Sequence, residues 1–152
     1  MIAAQWRILG FVAALAASST AEAQTVIDGN SLNYKGTVEH LWGIDAPDIG
    51  HVCADGWDAG KAAAAYLQSL IGTKPVTCEP KASPMPGGPF AVCKVDGQDV
   101  SAAMAAAGMA WAAPNVADYS VQATNAMSAI SGVYAHPCVK AWEWRAGIRK
   151  KQ

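Results

Sequence analysis

The chain has 152 residues, with 11 basic and 12 acidic side chains and a formal net charge of −1. That length is enough for one domain with a sizeable core. The balanced charge excludes the basic surplus with which polyphosphate binders usually meet nucleic acid, leaving at most a local basic face.

The first stretch reads as a secretory signal peptide, residues 1–23, with the domain occupying 24–152. Arg7 supplies a positive start, Ile8 to Ala17 a short apolar run, and Ala21-Glu22-Ala23 a small-residue cleavage signal before Gln24. A membrane anchor would need a longer apolar run, about 20 residues, and no later segment is apolar enough to span a bilayer. The expected address is therefore secreted or periplasmic. Four cysteines follow, Cys53, Cys78, Cys93 and Cys138. In an oxidising compartment an even count points to two disulfides, with three possible pairings. Wide spacing and the lack of a C-x-x-C pair argue against zinc.

Val26-Ile27 leads into a turn at Asp28-Gly29-Asn30. Ser31 to Tyr34 returns as a strand, Lys35-Gly36 is a second turn, and Thr37 to Ile44 is a third extended run ended by Asp45-Ala46-Pro47-Asp48. Two carboxylates three residues apart thus stand at the mouth of a small sheet. A loop with His51 and Cys53 follows. Asp58 to Ile71 is helical, with Ala62, Ala65, Tyr66, Leu67 and Leu70 as its apolar side and Gly72 as its stop. Lys74 to Glu79 and Phe90 to Val95 are strands around the loop KASPMPGGP, and their neighbouring course in a hairpin favours Cys78–Cys93. Cys53–Cys138 then ties the loop after the acidic turn to the C-terminal segment. Asp99 to Ala107 is a helix, Met109 to Ala113 a short extended run, and Tyr119 to Ser131 a helix with Val121, Ala123, Ala126, Met127 and Ile130 as its stripe. The tail carries Trp142, Trp144 and a basic cluster of Arg145, Arg149, Lys150 and Lys151, read as solvated. Periodicity alone supports α+β, a small barrel or sheet covered by helices.

The segments VIDGNSL and HLWGIDAPD resemble the staphylococcal-nuclease-like (thermonuclease) family, whose pattern runs V-x-D-G-D-T and R-L-x-G-I-D-x-P-E. The likeness extends to the Asp96-Gly97 turn, the segment Gly108-Met109-Ala110-Trp111 and the ending Trp142-Glu143-Trp144-Arg145. It implies a five-stranded OB-fold β-barrel with three helices and a metal-dependent nuclease of DNA or RNA. It also implies a site of two metal-binding aspartates, a general-base glutamate and two arginines, with Ca²⁺ as the ion.

The departures fall on those chemical positions. Asp45 is kept as a metal ligand and Ala46 can offer its carbonyl. Asn30 replaces the other aspartate and brings no charge. Asp48 replaces the glutamate with one methylene less. His40 replaces the first arginine, and Gly88 falls at the second, where Lys81 is the basic residue within reach. Losing one transition-state donor slows such reactions by about 10²–10³. The favoured expectation is therefore a pseudoenzyme, catalytically impaired or inactive, kept for nucleic-acid or other binding. Two alternatives stand beside it. One is a rewired nuclease using Zn²⁺ or Mn²⁺ through His40, Asp45, Asp48 and His51. The other is an OB-fold module for a glycan or protein, for which Trp57, Trp111, Trp142 and Trp144 would have to be exposed.

Overall fold

The structure is a computed structural model that describes residues 24–83 and 87–149. The expected signal peptide at 1–23, part of the Pro-rich loop, and Lys150 and Lys151 lie outside the described residues.

The main sheet is built from β1 (Thr25–Val26), β2 (Ser31–Tyr34), β3 (Thr37–Leu41), β5 (Val76–Lys81), β6 (Phe90–Val95) and β7 (Gln98–Asp99). Its order is β1-β2-β3-β6-β5, with β7 beside β6. All pairings are antiparallel except β3 with β6, where His40 lies opposite Phe90. A separate ribbon pairs β4 (Ile44–Asp45) with β8 (Trp111–Ala112). The extended run expected from Thr37 to Ile44 is thus broken at Trp42-Gly43, and its last two residues turn away to pair elsewhere. Among the described residues the sheet curls without closing, an OB-like α+β arrangement.

Alternation makes β6 a core strand: Ala91, Cys93 and Val95 face inward, while Phe90, Val92 and Lys94 lie on the other face. Cys78 and Cys93 are directly opposite in the ladder and are bonded, as are Cys53 and Cys138.

Helix α1 (Ala59–Ile71) starts at Asp58, whose carboxylate accepts from the Lys61 N–H at 3.1 Å. Its buried side is Ala59, Gly60, Ala63, Leu67 and Ile71. Of the expected side, Leu67 is buried, Ala62, Tyr66 and Leu70 are half-buried and Ala65 is exposed. Four consecutive alanines cannot select a face by themselves; Gly60 does. A Cβ on Gly60 would stand 2.1 Å from the Asp48 carbonyl oxygen, so only glycine lets the helix press against the acidic turn. Gly60→Ala should lower stability by about 1–3 kcal/mol through overpacking, although alanine is intrinsically the better helix former. Urea denaturation reads this directly, and a stabilised variant would refute the contact.

Helix α2 (Val100–Ala106) is capped by Asp99, which accepts from Ala102 N–H at 3.0 Å and from the Tyr119 hydroxyl at 2.9 Å. Helix α3 (Ser120–Ser128) buries Ala123 and Ala126. Val121, Met127 and Ile130, expected in its stripe, are 67%, 54% and 68% exposed. Gly108 and Gly132 cross so closely that a Cβ on Gly132 would meet the Gly108 oxygen at 2.1 Å. The approach is too close for large side chains, so α3 docks through its alanines. A fourth helix, α4 (Ala141–Arg145), adds to the three expected. No helix among the described residues is long and apolar enough to cross a membrane.

The core has two parts. Leu32, Leu41, Ile44, Leu67, Ile71 and Met104 pack between sheet and helices. Cys53, Ala59, Trp111, Val133, Cys138 and Ala141 form a second cluster beneath the acidic turn.

Candidate functional site

A pocket of about 540 Å³ opens between β3, β4 and the C-terminal segment. Asp28, Asn30, His40, Asp45 and Asp48 line it together with Phe90, Asn115 and Arg145. The acidic turn is held from below by the Asp48 carbonyl, which accepts from His51 N–H at 2.9 Å, and by α1 pressing at Gly60.

Asn30 does not reach into the pocket as a free ligand. Its Oδ1 accepts from Ala46 N–H at 2.5 Å and its Nδ2 donates to the Ala46 carbonyl at 2.9 Å. An aspartate could not make the second bond, because an ionised carboxylate has no donor. The amide therefore clamps β2 to the turn after β4. Asp28 serves the same corner, accepting from Asn30 N–H at 2.8 Å and from the Ser31 hydroxyl at 2.7 Å.

Asp45 and Asp48 do come together, and a residue about a hundred positions along the chain joins them. The Arg145 guanidinium donates to Asp45 Oδ2 at 2.5 Å and to Asp48 Oδ1 at 2.9 Å. Burial pushes the Asp45 carboxyl above its ordinary value, and Asp48 adds to the rise. The bond and charge from Arg145 pull the other way without reversing it. Burial likewise works against the charge on Arg145, but the two carboxylates outweigh it and hold the guanidinium protonated.

His40 packs against Phe90, with ring centroids 5.8 Å apart. Trp42 meets the same Phe90 edge-on at 6.2 Å, and the Lys81 ammonium lies 5.4 Å above the Trp42 ring. At position 88, a Cβ would stand 2.8 Å from the Phe90 ring. A side chain there would have to displace that ring. His51 is fully buried, stacked on Trp144 at 4.9 Å and facing Trp111 at 6.1 Å. The sequence places it in a polar loop, but its ring is walled off by two indoles. Trp57, Trp111, Trp142 and Trp144 are all buried or half-buried. His136 stacks on Trp57 at 4.1 Å and bonds Asp55 at 2.7 Å.

The Ca²⁺ expected for this site would need six to eight oxygen ligands. One oxygen each of Asp45 and Asp48 is engaged by Arg145, and those of Asn30 and Ala46 by each other, so few of the oxygens gathered here are left to coordinate an ion. The residues do not fit the ion. Zinc or manganese fares no better. His51 is stacked on Trp144 and His40 is tilted against Phe90, and no group of three or more His, Cys, Asp or Glu is placed to hold a metal among the described residues.

Sequence reasoning gave Arg145 no place in the site because it counted the last basic residues as a solvated tail, although the ending Trp142-Glu143-Trp144-Arg145 already carried part of the family likeness. The signal available was the dense aromatic run Trp142-Glu143-Trp144 immediately before it, which is out of place in a free tail.

No curated protein is similar enough to the chain to match it. The model of the family described as staphylococcal nuclease homologue matches residues 39–131, a span that takes in His40, Asp45 and Asp48 and leaves Asn30 and Arg145 outside. With that match over more than half its length, the chain belongs to the staphylococcal nuclease homologue family.

Proposed function

We propose that this domain is a non-hydrolytic member of its family, exported and disulfide-stabilised, that keeps a nucleic-acid-binding face without phosphodiester cleavage. One observation carries the reading. The only guanidinium lining the pocket among the described residues, Arg145, is held by the Asp45 and Asp48 carboxylates. Hydrolysis needs a cation directed at charge developing on phosphorus and a carboxylate free to act on water. Here the cation and the two carboxylates satisfy one another. Three carboxylates against one guanidinium also leave the pocket acidic, which repels a phosphodiester.

Binding is better served at the rim. Trp42 and Phe90, both half-buried, lie beside Lys81, and aromatic rings next to a cation are the combination on which single-stranded bases stack without sequence preference. Export is supported by the pairing of all four cysteines and by the leader-like composition of residues 1–23.

The test uses the oxidised, leader-free protein with heat-denatured DNA and Ca²⁺, Mg²⁺, Mn²⁺ or Zn²⁺, beside Asp45→Ala and an EDTA blank. No cleavage above the blank is expected with any ion, while fluorescence anisotropy of a labelled oligonucleotide reports weak, salt-sensitive binding that Lys81→Ala reduces. Metal-dependent cleavage that disappears in Asp45→Ala would overturn the reading in favour of a rewired nuclease.

A further inference from the structure

We propose that Arg145 is the resident cation of the acidic pair, a covalently tethered substitute for a divalent ion. The inference rests on the non-hydrolytic reading of the same pocket and gives that reading a physical cause. The guanidinium bridges one oxygen of Asp45, at the end of β4, and one of Asp48, in the turn that follows. A planar fork suits two carboxylates better than an ammonium would.

Its position is fixed by everything around α4. The Lys140 N–H donates to Glu143 Oε2 at 3.1 Å, closing the start of the helix. Trp142 meets Trp111 edge-on at 6.4 Å, and the Lys140 ammonium lies 5.1 Å above the Trp142 ring. Trp144 is stacked on His51 on one side and covered by the Arg149 guanidinium, 4.6 Å from its centroid. Arg149 also donates to the Trp144 carbonyl. The Cys53–Cys138 bond joins the segment leading into α4 to the loop after the acidic turn. Arg145 is therefore presented by a docked helix rather than by a wandering tail. An ion entering the pair must displace a charge that cannot diffuse away.

The Asn30–Ala46 clamp completes the arrangement. With the Asn30 and Ala46 oxygens paired internally, the Asp45–Asp48 pair is left to be balanced by one positive group, and Arg145 supplies it.

Terbium, a hard trivalent ion excited through nearby tryptophan, is the probe, used alone and without nucleic acid. The wild type is expected to show no Asp45-dependent sensitised emission at micromolar Tb³⁺. Arg145→Gln should bind the ion about tenfold more tightly or better, because a positive charge within contact distance of the site has been removed. Adding Asp45→Asn to that variant should abolish the gain. Equal binding by the wild type and Arg145→Gln would overturn the assignment. Should Arg145→Gln fail to fold by circular dichroism, the wild type against Asp45→Asn decides: emission lost with Asp45 overturns it, and no Asp45-dependent emission supports it. Ion binding and DNA cleavage are read separately, so an inactive wild type that nonetheless binds Tb³⁺ through Asp45 defeats this inference alone.

Discussion

Replacing Cys53 and Cys138 together by alanine is expected to lower stability by about 4.5 kcal/mol, on loop-closure entropy for a sequence separation of 85 residues. The Cys78→Ala/Cys93→Ala pair, separated by 15 residues, should lose about 3 kcal/mol by the same argument. Packing reinforces the ordering. Cys53 and Cys138 are both buried in the second core cluster with Ala59, Trp111, Val133 and Ala141. Truncation there leaves a gap under the helix that carries Arg145. Urea denaturation without reductant measures both variants. The long-range variant should also lose the fluorescence signature of Trp144 stacked on His51 before the sheet unfolds, because α4 is anchored from that side. A smaller loss for Cys53/Cys138 than for Cys78/Cys93 would mean that the C-terminal segment is held by its aromatic contacts alone.

Much of this architecture is legible from local pattern. The alternation of β6, the turn pairs Lys35-Gly36 and Asp96-Gly97, and the cap at Asp58 are short-range features, and each leaves its mark within a few residues. Lys35 and Asp96 even take the positive φ, 50° and 51°, that such two-residue turns require. The disulfide pairing follows from strand order. What was not legible depends on distant partners. His51 looks like a loop residue beside Gly50, and it is buried only because Trp111 and Trp144 arrive on either side. Asn30 looks like a weakened ligand until the Ala46 backbone is placed beside it. Arg145 looks solvated until α4 docks. The stripes of α1 and α3 were legible only in part for a related reason. Alanine is ambiguous in a hydrophobic pattern, and close approach at Gly60, Gly108 and Gly132 decided which face turned inward.

The buried histidine carries the second large effect. His51 has no solvent exposure, and neither ring nitrogen has a hydrogen-bond partner among the described residues. Burial lowers its pKa from the ordinary imidazole value; Asp48 opposes this, while Arg149 and Arg145 reinforce it. Below about pH 6.5 the unfolded chain takes up a proton that the folded chain refuses. Stability should therefore be full above that pH and fall as the pH drops towards the lower folded value. Asp45 has the opposite sign. Its pKa is raised by burial, so its contribution is present at low pH and is lost as pH rises through the raised value. The acid-sensitive limb that starts near neutrality thus belongs to His51 and not to Asp45. His51→Phe keeps a flat ring between Trp111 and Trp144 and removes two unsatisfied polar atoms, which cost about 1–3 kcal/mol each when buried. It should be at least as stable as the wild type at neutral pH and should lose the decline below it. His51→Ala should also lose that decline, but from a baseline lower by about 3 kcal/mol, because the two indoles then border a cavity. Urea midpoints between about pH 5 and 8, where histidine titrates, distinguish these cases. Parallel curves for wild type and His51→Phe would show that the folded state takes up the imidazole proton as readily as the unfolded chain does. The indole sandwich would then be holding a cation at the foot of the acidic turn rather than a neutral ring.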